Sequence, residues 1–172
     1  MKIGTKSLLF GTHNIILHPI LVAIAWTKLY GFPKSVKLWL AFIVHDWGYW
    51  GKSNLDGNEG IRHPELGANL MHKWFDKGNT TYWYNFTIGH SMNYCKEFDK
   101  VVSRLCVADK LAITLYSPTI FVFITQLSGE LKEYIGVPAY YEKYNMRVYR
   151  KNWFKDRKKY LTYWVAGAKT LY

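Results

Sequence analysis

Phe42-Ile43-Val44-His45-Asp46-Trp47-Gly48 is the stretch around which the rest of the chain organises itself. An apolar run ends in an adjacent imidazole and carboxylate, and a glycine follows two residues later. Adjacent His and Asp suit a metal site: imidazole binds through one nitrogen, while a carboxylate can bridge two cations. The dipeptide alone is commonplace; its company is not. His18 lies upstream on an apolar stretch, and His63, His90 and Asp109 follow, each at the edge of an apolar segment. Four histidines and two aspartates in this order are what a two-metal site needs.

Outward from that stretch, the pattern is helical throughout. Ser7 to Tyr30 is mostly apolar with polar breaks and is expected to form one or two helices, ended by Gly31-Phe32-Pro33. Ser35 can cap a helix running to about His45, with Val36, Leu38, Leu40, Ala41 and Val44 on its buried side. Trp47 to Arg62 is a glycine-rich loop, long enough for a functional role. His63-Pro64-Glu65 opens the next helix, in which Gly67 and Ala68 are small enough to admit another backbone, and Gly78-Asn79 closes it. Further helices are expected over Thr80–His90, Phe98–Leu115 and Asn145–Thr170, with breaks at Ser117-Pro118-Thr119 and Gly136-Val137-Pro138. No alternating strand pattern occurs. The expectation is an all-α, single compact helical bundle over residues 1–172.

The chain is 49% hydrophobic and 18% aromatic, which excludes disorder. Cys95 and Cys106 form no CxxC pair, so a reducing cytoplasm is the expected setting. Met1 to Ser7 leads into a short apolar stretch with no small-residue cleavage site, and no signal peptide is expected. Leu111 to Ser128 carries no charge over a length near the lower limit for a membrane span, but Ser117-Pro118 breaks it. Two short buried helices are expected there, and no membrane partner. The net charge of +11 attracts anions such as nucleotides, nucleic acid or acidic membrane.

The residues and their local wording resemble the HD-domain superfamily of metal-dependent phosphohydrolases. His18 is followed by Val22-Ala23, like that family's first histidine helix, and Phe42 to Gly48 looks like its signature strip. His63-Pro64-Glu65-Leu66-Gly67-Ala68 is similar to the second-metal motif of its dinuclear members. Ile88-Gly89-His90-Ser91 and Ala108-Asp109-Lys110-Leu111 complete the set. The short interval from His90 to Asp109 is nearest to the small dinucleoside-polyphosphate hydrolases of the superfamily. The resemblance covers about residues 13–115, leaving a basic helical extension over about 129–172. It departs after Gly48: the family's usual lysine is replaced by Tyr49-Trp50-Gly51, and Lys52 comes later.

The resemblance implies that His18, His45, Asp46 and Asp109 hold one divalent transition metal, and that Asp46, His63 and His90 hold a second. Asp46, His63 and His90 would then be catalytic. Imidazole with carboxylate suits Fe, Mn, Co or Zn better than Mg. Such an enzyme cleaves a phosphoester or phosphoanhydride of a nucleotide or related compound by attack of a metal-bound hydroxide. Lys52, Arg62 and Lys73 are the basic residues nearest in sequence and are candidates to grip phosphate. His13 is the rival to His18; on one continuous helix the two would point about 140° apart, so only one could face the site. His72 is expected to be structural, Asp56 and Glu59 solvated, and the aromatics Trp74, Tyr82, Trp83, Tyr84 and Phe86 part of the core.

Two other functions fit the same sequence. The ligand set also resembles that of mixed-valent di-iron oxygenases on this fold, although the short His90–Asp109 interval disfavours it. Alternatively, the chain is a basic nucleotide- or nucleic-acid-binding module. Lys143, Arg147, Arg150, Lys151, Lys155, Arg157, Lys158 and Lys159 crowd one segment, with Tyr144, Tyr149, Trp153 and Phe154 between them. An oligomer is allowed by either reading.

Overall fold

Ser35 starts the helix that matters most: its hydroxyl accepts from the Lys37 amide at 3.2 Å. In the computed structural model, which describes residues 1–135 and 146–168, ten α-helices follow one another and no strand occurs among the described residues. They are α1 (Ile3–Phe10), α2 (Leu17–Tyr30), α3 (Val36–Val44), α4 (Pro64–Phe75) and α5 (Tyr82–Ile88). Then come α6 (Met92–Glu97), α7 (Arg104–Thr114), α8 (Pro118–Ser128), α9 (Glu130–Ile135) and α10 (Met146–Ala168). The fold class is all-α.

The main core lies where α2, α3, α4, α5 and α7 meet. It is built from Val22, Ala25, Trp26, Phe42, Val44, Met71, Phe86, Leu105 and Ala108, all buried. α2 packs on α3 and α7, α3 on α4, and α4 on α5. α4 comes unusually close to α3. A Cβ on Gly67 would lie 2.5 Å from the Val44 carbonyl oxygen and 2.9 Å from the His45 Cα. Only glycine allows that contact. α10 lies across α7 and α8, where Phe154 is fully buried and its ring stacks on Phe121 at 3.7 Å between centroids.

Several boundaries differ from the sequence expectations. The Ser7–Tyr30 stretch divides between two helices, within the expected one or two, but the first already starts at Ile3; Asn14 Oδ1 accepts from the amides of Ile16 and Leu17 and starts α2 afresh. His13 therefore sits in a turn, and the 140° argument against it does not apply. Val36 is 72% exposed, because it is the first residue of α3 and faces solvent; Phe42 takes the core place instead. The expected Phe98–Leu115 helix is interrupted. Asp99 takes φ +48°, the Ser103 amide donates to the Gly89 carbonyl, and α7 begins only at Arg104. Val101 is consequently exposed.

The Trp47–Arg62 loop contains two 3-10 turns, Trp47–Tyr49 and Gly60–Arg62. Of the expected core aromatics, Phe86 is buried, whereas Trp74 and Tyr82 lie at the surface. α8 is not wholly buried: Ile120, Phe123 and Leu127 face outward. Among the described residues no single helix is long and apolar enough to cross a membrane; α7 and α8 together pass on length and composition but are bent by 104°. Gly136-Val137-Pro138, Lys143 and Tyr144 lie outside the described residues, as does the end of the expected last helix.

Candidate metal centre

Three histidines reach the centre by the same local device. His45 follows the end of α3, His63 follows the Gly60–Arg62 turn, and His90 lies just beyond α5. Each Nδ1 lies against the backbone carbonyl three residues back: Phe42 at 2.9 Å, Gly60 at 2.8 Å and Thr87 at 2.7 Å. The Gly60 and Thr87 carbonyls also accept from the backbone amides of His63 and His90, at 2.9 and 3.2 Å. A carbonyl only accepts, so each Nδ1 must carry the hydrogen and donate it. When the ring is neutral, Nε2 is then a lone pair aimed inward, as a metal ligand requires. His18 comes from the first turn of α2, Asp46 directly follows His45, and Asp109 lies on α7.

All six side chains are buried and converge. His18, His45, Asp46 and Asp109 offer donor atoms within 4.8 Å of one another, and so do Asp46, His63 and His90. Asp46 belongs to both groups, one oxygen to each. Its Oδ2 lies 3.2 Å from His18 Nε2 and 3.1 Å from His45 Nε2. Its Oδ1 lies 3.5 Å from His63 Nε2 and 3.3 Å from His90 Nε2. Asp109 Oδ1 lies 3.0 Å from His18 Nε2.

These spacings fit a cation. Two donors bound at roughly 2.1 Å to one ion stand about 3.0–3.4 Å apart, whether the ion is octahedral or tetrahedral. The chemistry fits as well. His63 Nε2 and His90 Nε2 face each other at 3.0 Å, although both rings have committed their hydrogen to a carbonyl. Two facing lone pairs repel unless a positive charge lies between them. Among the described residues His18 Nδ1 is buried without a hydrogen-bond partner.

The electrostatics separate the two groups. Burial pushes both His63 and His90 below the usual imidazole range; each ring also repels a neighbouring histidine, and Asp46 offsets this only in part. Those rings are neutral, and a proton does not take the cation's place between them. Burial works against a charge on His18 too, but hydrogen bonding to Asp109 and Asp46 prevails and raises it to about 9. Burial opposes the charge on Asp46, yet His45, His13 and His18 hold it well below the ordinary carboxylate range. Asp109 is likewise held low against burial, by Lys110 first and then by His18. Without a metal, a proton on His18 and the Lys110 ammonium are the counter-charges to the two carboxylates.

Two glycines make room for this geometry. Gly67 brings α4 against the His45 backbone, and a Cβ on Gly48 would overlap the His63 carbonyl. Tyr49, buried, stacks on the His63 ring at 3.9 Å and fixes its plane.

Lys52, Arg62 and Lys73 are not brought to the centre: among the described residues no hydrogen bond or ion pair joins them to the six donors. Arg62 pairs with Glu65 at 2.9 Å and lies over the Phe98 ring. Lys73 is exposed on α4, and Lys52 lies in the loop beside Gly4. His72 is exposed and pairs with Asp76. Asp56 and Glu59 are exposed, bonded to Asn93 and to the Ser53 amide. Cys95 and Cys106 are free and buried.

Three contributors lie outside the six candidate donors. Lys110 places Nζ 2.8 Å from Asp109 Oδ2. His13 places its ring 5.7 Å from His18 and bonds Ser7 Oγ through Nδ1 at 2.7 Å. Behind it, fully buried Glu130 accepts from the Thr12 amide at 3.2 Å and hydroxyl at 3.0 Å. A lysine beside an acid reads as solvated, and nothing local links residue 12 to residue 130. In the basic segment, Phe154 is committed to the core and Trp153 packs half-buried beside it, while Lys155, Arg157 and Lys159 are exposed.

The buried His/Asp cluster can hold a metal ion, and this all-helical chain with such a centre is consistent with an HD-domain-like site. No protein-family model, no curated protein and no solved structure matches the chain.

Proposed function

We propose that the protein is a metal-dependent phosphohydrolase acting on a nucleotide or a related phosphorylated small molecule. The observation that carries this reading is Asp46, whose two oxygens face two separate histidine pairs. His18, His45, Asp46 and Asp109 hold one divalent ion of the Fe, Mn, Co or Zn kind, and Asp46, His63 and His90 hold the other. When bound, such a pair supplies hydroxide near neutral pH and neutralises charge that develops on phosphoryl oxygens.

The chain's own contribution is placement. The three Nδ1–carbonyl bonds hold the rings so that Nε2 faces inward, and the Tyr49 ring keeps His63 from tilting. Asp46 sets the separation of the two positions. Burial of all six donors lowers the local dielectric and strengthens each interaction with a charged ligand. The net charge of +11 draws anionic substrates to the surface.

The test is phosphate release from nucleotides, dinucleoside polyphosphates and cyclic nucleotides, with Mn, Fe(II), Co or Zn added and the Asp46→Ala variant run in parallel. Metal-dependent release that the variant loses is expected. Full activity in Asp46→Ala overturns the proposal. Iron-only activity that consumes oxygen and stops under strict anaerobiosis replaces it with the oxygenase reading.

A further inference from the structure

We infer that Lys110 is the anion-binding residue of this centre: it holds Asp109 by one oxygen and presents its remaining N–H groups to a phosphoryl oxygen of the bound ligand. The inference rests on the phosphohydrolase reading for the identity of the ligand, and on geometry for the site.

Asp109 divides its two oxygens. Oδ1 lies 3.0 Å from His18 Nε2, inside the metal-ligand group, and Oδ2 lies 2.8 Å from Lys110 Nζ. A single carboxylate therefore separates the ammonium from the donors of the first metal position. The salt bridge also keeps Asp109 from turning both oxygens onto one ion, which leaves room there for another ligand.

The ammonium has unused capacity. Lysine carries three N–H donors. Among the described residues Asp109 is the one hydrogen-bond partner of Lys110. The Lys110 side chain is 22% exposed, against 6% for Asp109, so it extends further towards solvent than the donors it adjoins. Charge favours an anion here. The two carboxylates of the cluster balance two of the four positive charges that a pair of divalent ions brings. Lys110 adds one more. Among the described residues the three basic residues nearest the motif in sequence make no such contact: Arg62 is paired with Glu65, and no hydrogen bond or ion pair joins Lys52 or Lys73 to the cluster.

The test uses the full chain loaded with Mn(II) and inorganic phosphate as the probe, so that ligand binding is read without turnover. Phosphate affinity is measured by calorimetry and metal content by elemental analysis, for wild type, Lys110→Met, Lys110→Arg and the control Lys73→Met. Losing a charged hydrogen bond is expected to weaken phosphate binding at least about tenfold in Lys110→Met. Metal content stays unchanged, Lys110→Arg recovers most of the affinity, and Lys73→Met matches wild type. The inference is overturned if Lys110→Met keeps both its metal and wild-type phosphate affinity. It is also overturned if both Lys110 variants lose metal and phosphate together, for then Lys110 merely supports Asp109. Lys110-dependent phosphate binding in a protein that hydrolyses nothing in the panel would sink the phosphohydrolase reading and leave this anion site standing.

Discussion

Removing the shared carboxylate tests the metal centre most directly. An ion that binds only the folded chain stabilises it by RT ln(1 + [L]/Kd), about 2.7 kcal/mol at a hundredfold excess over Kd. For a domain of this length each kcal/mol moves Tm by roughly 2–4 °C, so saturating Mn(II) or Zn(II) should raise the Tm of chelator-treated wild type by roughly 5–10 °C. Asp46 supplies a donor to both ligand groups. In Asp46→Ala the first group keeps His18, His45 and Asp109, while the second is reduced to His63 and His90. Two histidines alone hold a divalent ion weakly, so the second position empties and the first loosens. The metal-induced rise should fall to less than about half its wild-type size. The assay is a thermal melt with and without metal, repeated for Asp56→Ala, which removes an exposed loop carboxylate bonded to Asn93. That control should keep the full rise. An undiminished rise in Asp46→Ala would refute the placement of the ions, because the metal would then be binding elsewhere.

The metal-free protein should be most stable near pH 6.5. His18 is raised from 6.5 to about 9, so its contribution is complete below 6.5 and is lost as pH rises through about 9, with an upper bound on the order of 3 kcal/mol. His63 and His90 are lowered, so theirs is lost as pH falls below 6.5. With saturating metal the slope above 6.5 should reverse, because protons now compete with the ion; urea titrations across pH with and without chelator check both. Gly67→Ala should destabilise by about 3 kcal/mol or more, the upper end for overpacking, because the intruding methyl meets backbone and not a movable side chain. Its metal content should fall as well, read by denaturation and elemental analysis. Phe154→Ala should cost about 3–5 kcal/mol yet leave metal stoichiometry unchanged, since the Phe121–Phe154 stack lies in a separate cluster from the centre.

What the sequence made legible follows from what is local. The helix class, the Ser35 start and the Pro64 start are set by residues within one turn, and the structure keeps them. The six candidate donors were legible because each type is costly to bury without a partner, and six such residues at the edges of apolar segments imply mutual contact. The breaks were harder. Asp99 ends one helix through a left-handed φ that aspartate tolerates without advertising it, and Asn14 starts another from within an apolar stretch. For the basic residues, proximity in sequence does not translate into contact with the six donors. Arg62 directly precedes His63 but points to Glu65, whereas Lys110 reaches Asp109 from the next position on α7. The carboxylate behind His13 arrives from residue 130, a contact of 118 residues' separation with the Thr12 amide that no periodicity reveals.

The facing rings of His63 and His90 bear on why this fold holds its centre at all. Each Nδ1–H bond to a carbonyl is worth about 0.5–1.5 kcal/mol net. The same bonds force two lone pairs together at 3.0 Å in a buried place where protonation is disfavoured. Across the cluster, Asp46 and Asp109 bring two negative charges out of water, opposed in the metal-free state by the proton on His18 and by Lys110. Desolvating each charge costs several kcal/mol, a large share of the roughly 5–15 kcal/mol that stabilises a domain. A packing of apolar residues in the same volume would serve stability better. A cation would offset the lone-pair repulsion and take over from the His18 proton as counter-charge, through donors already held in place. A conformation that is poor as a core suits a ligand shell, and an ion held there would make metal retention and fold stability one coupled quantity.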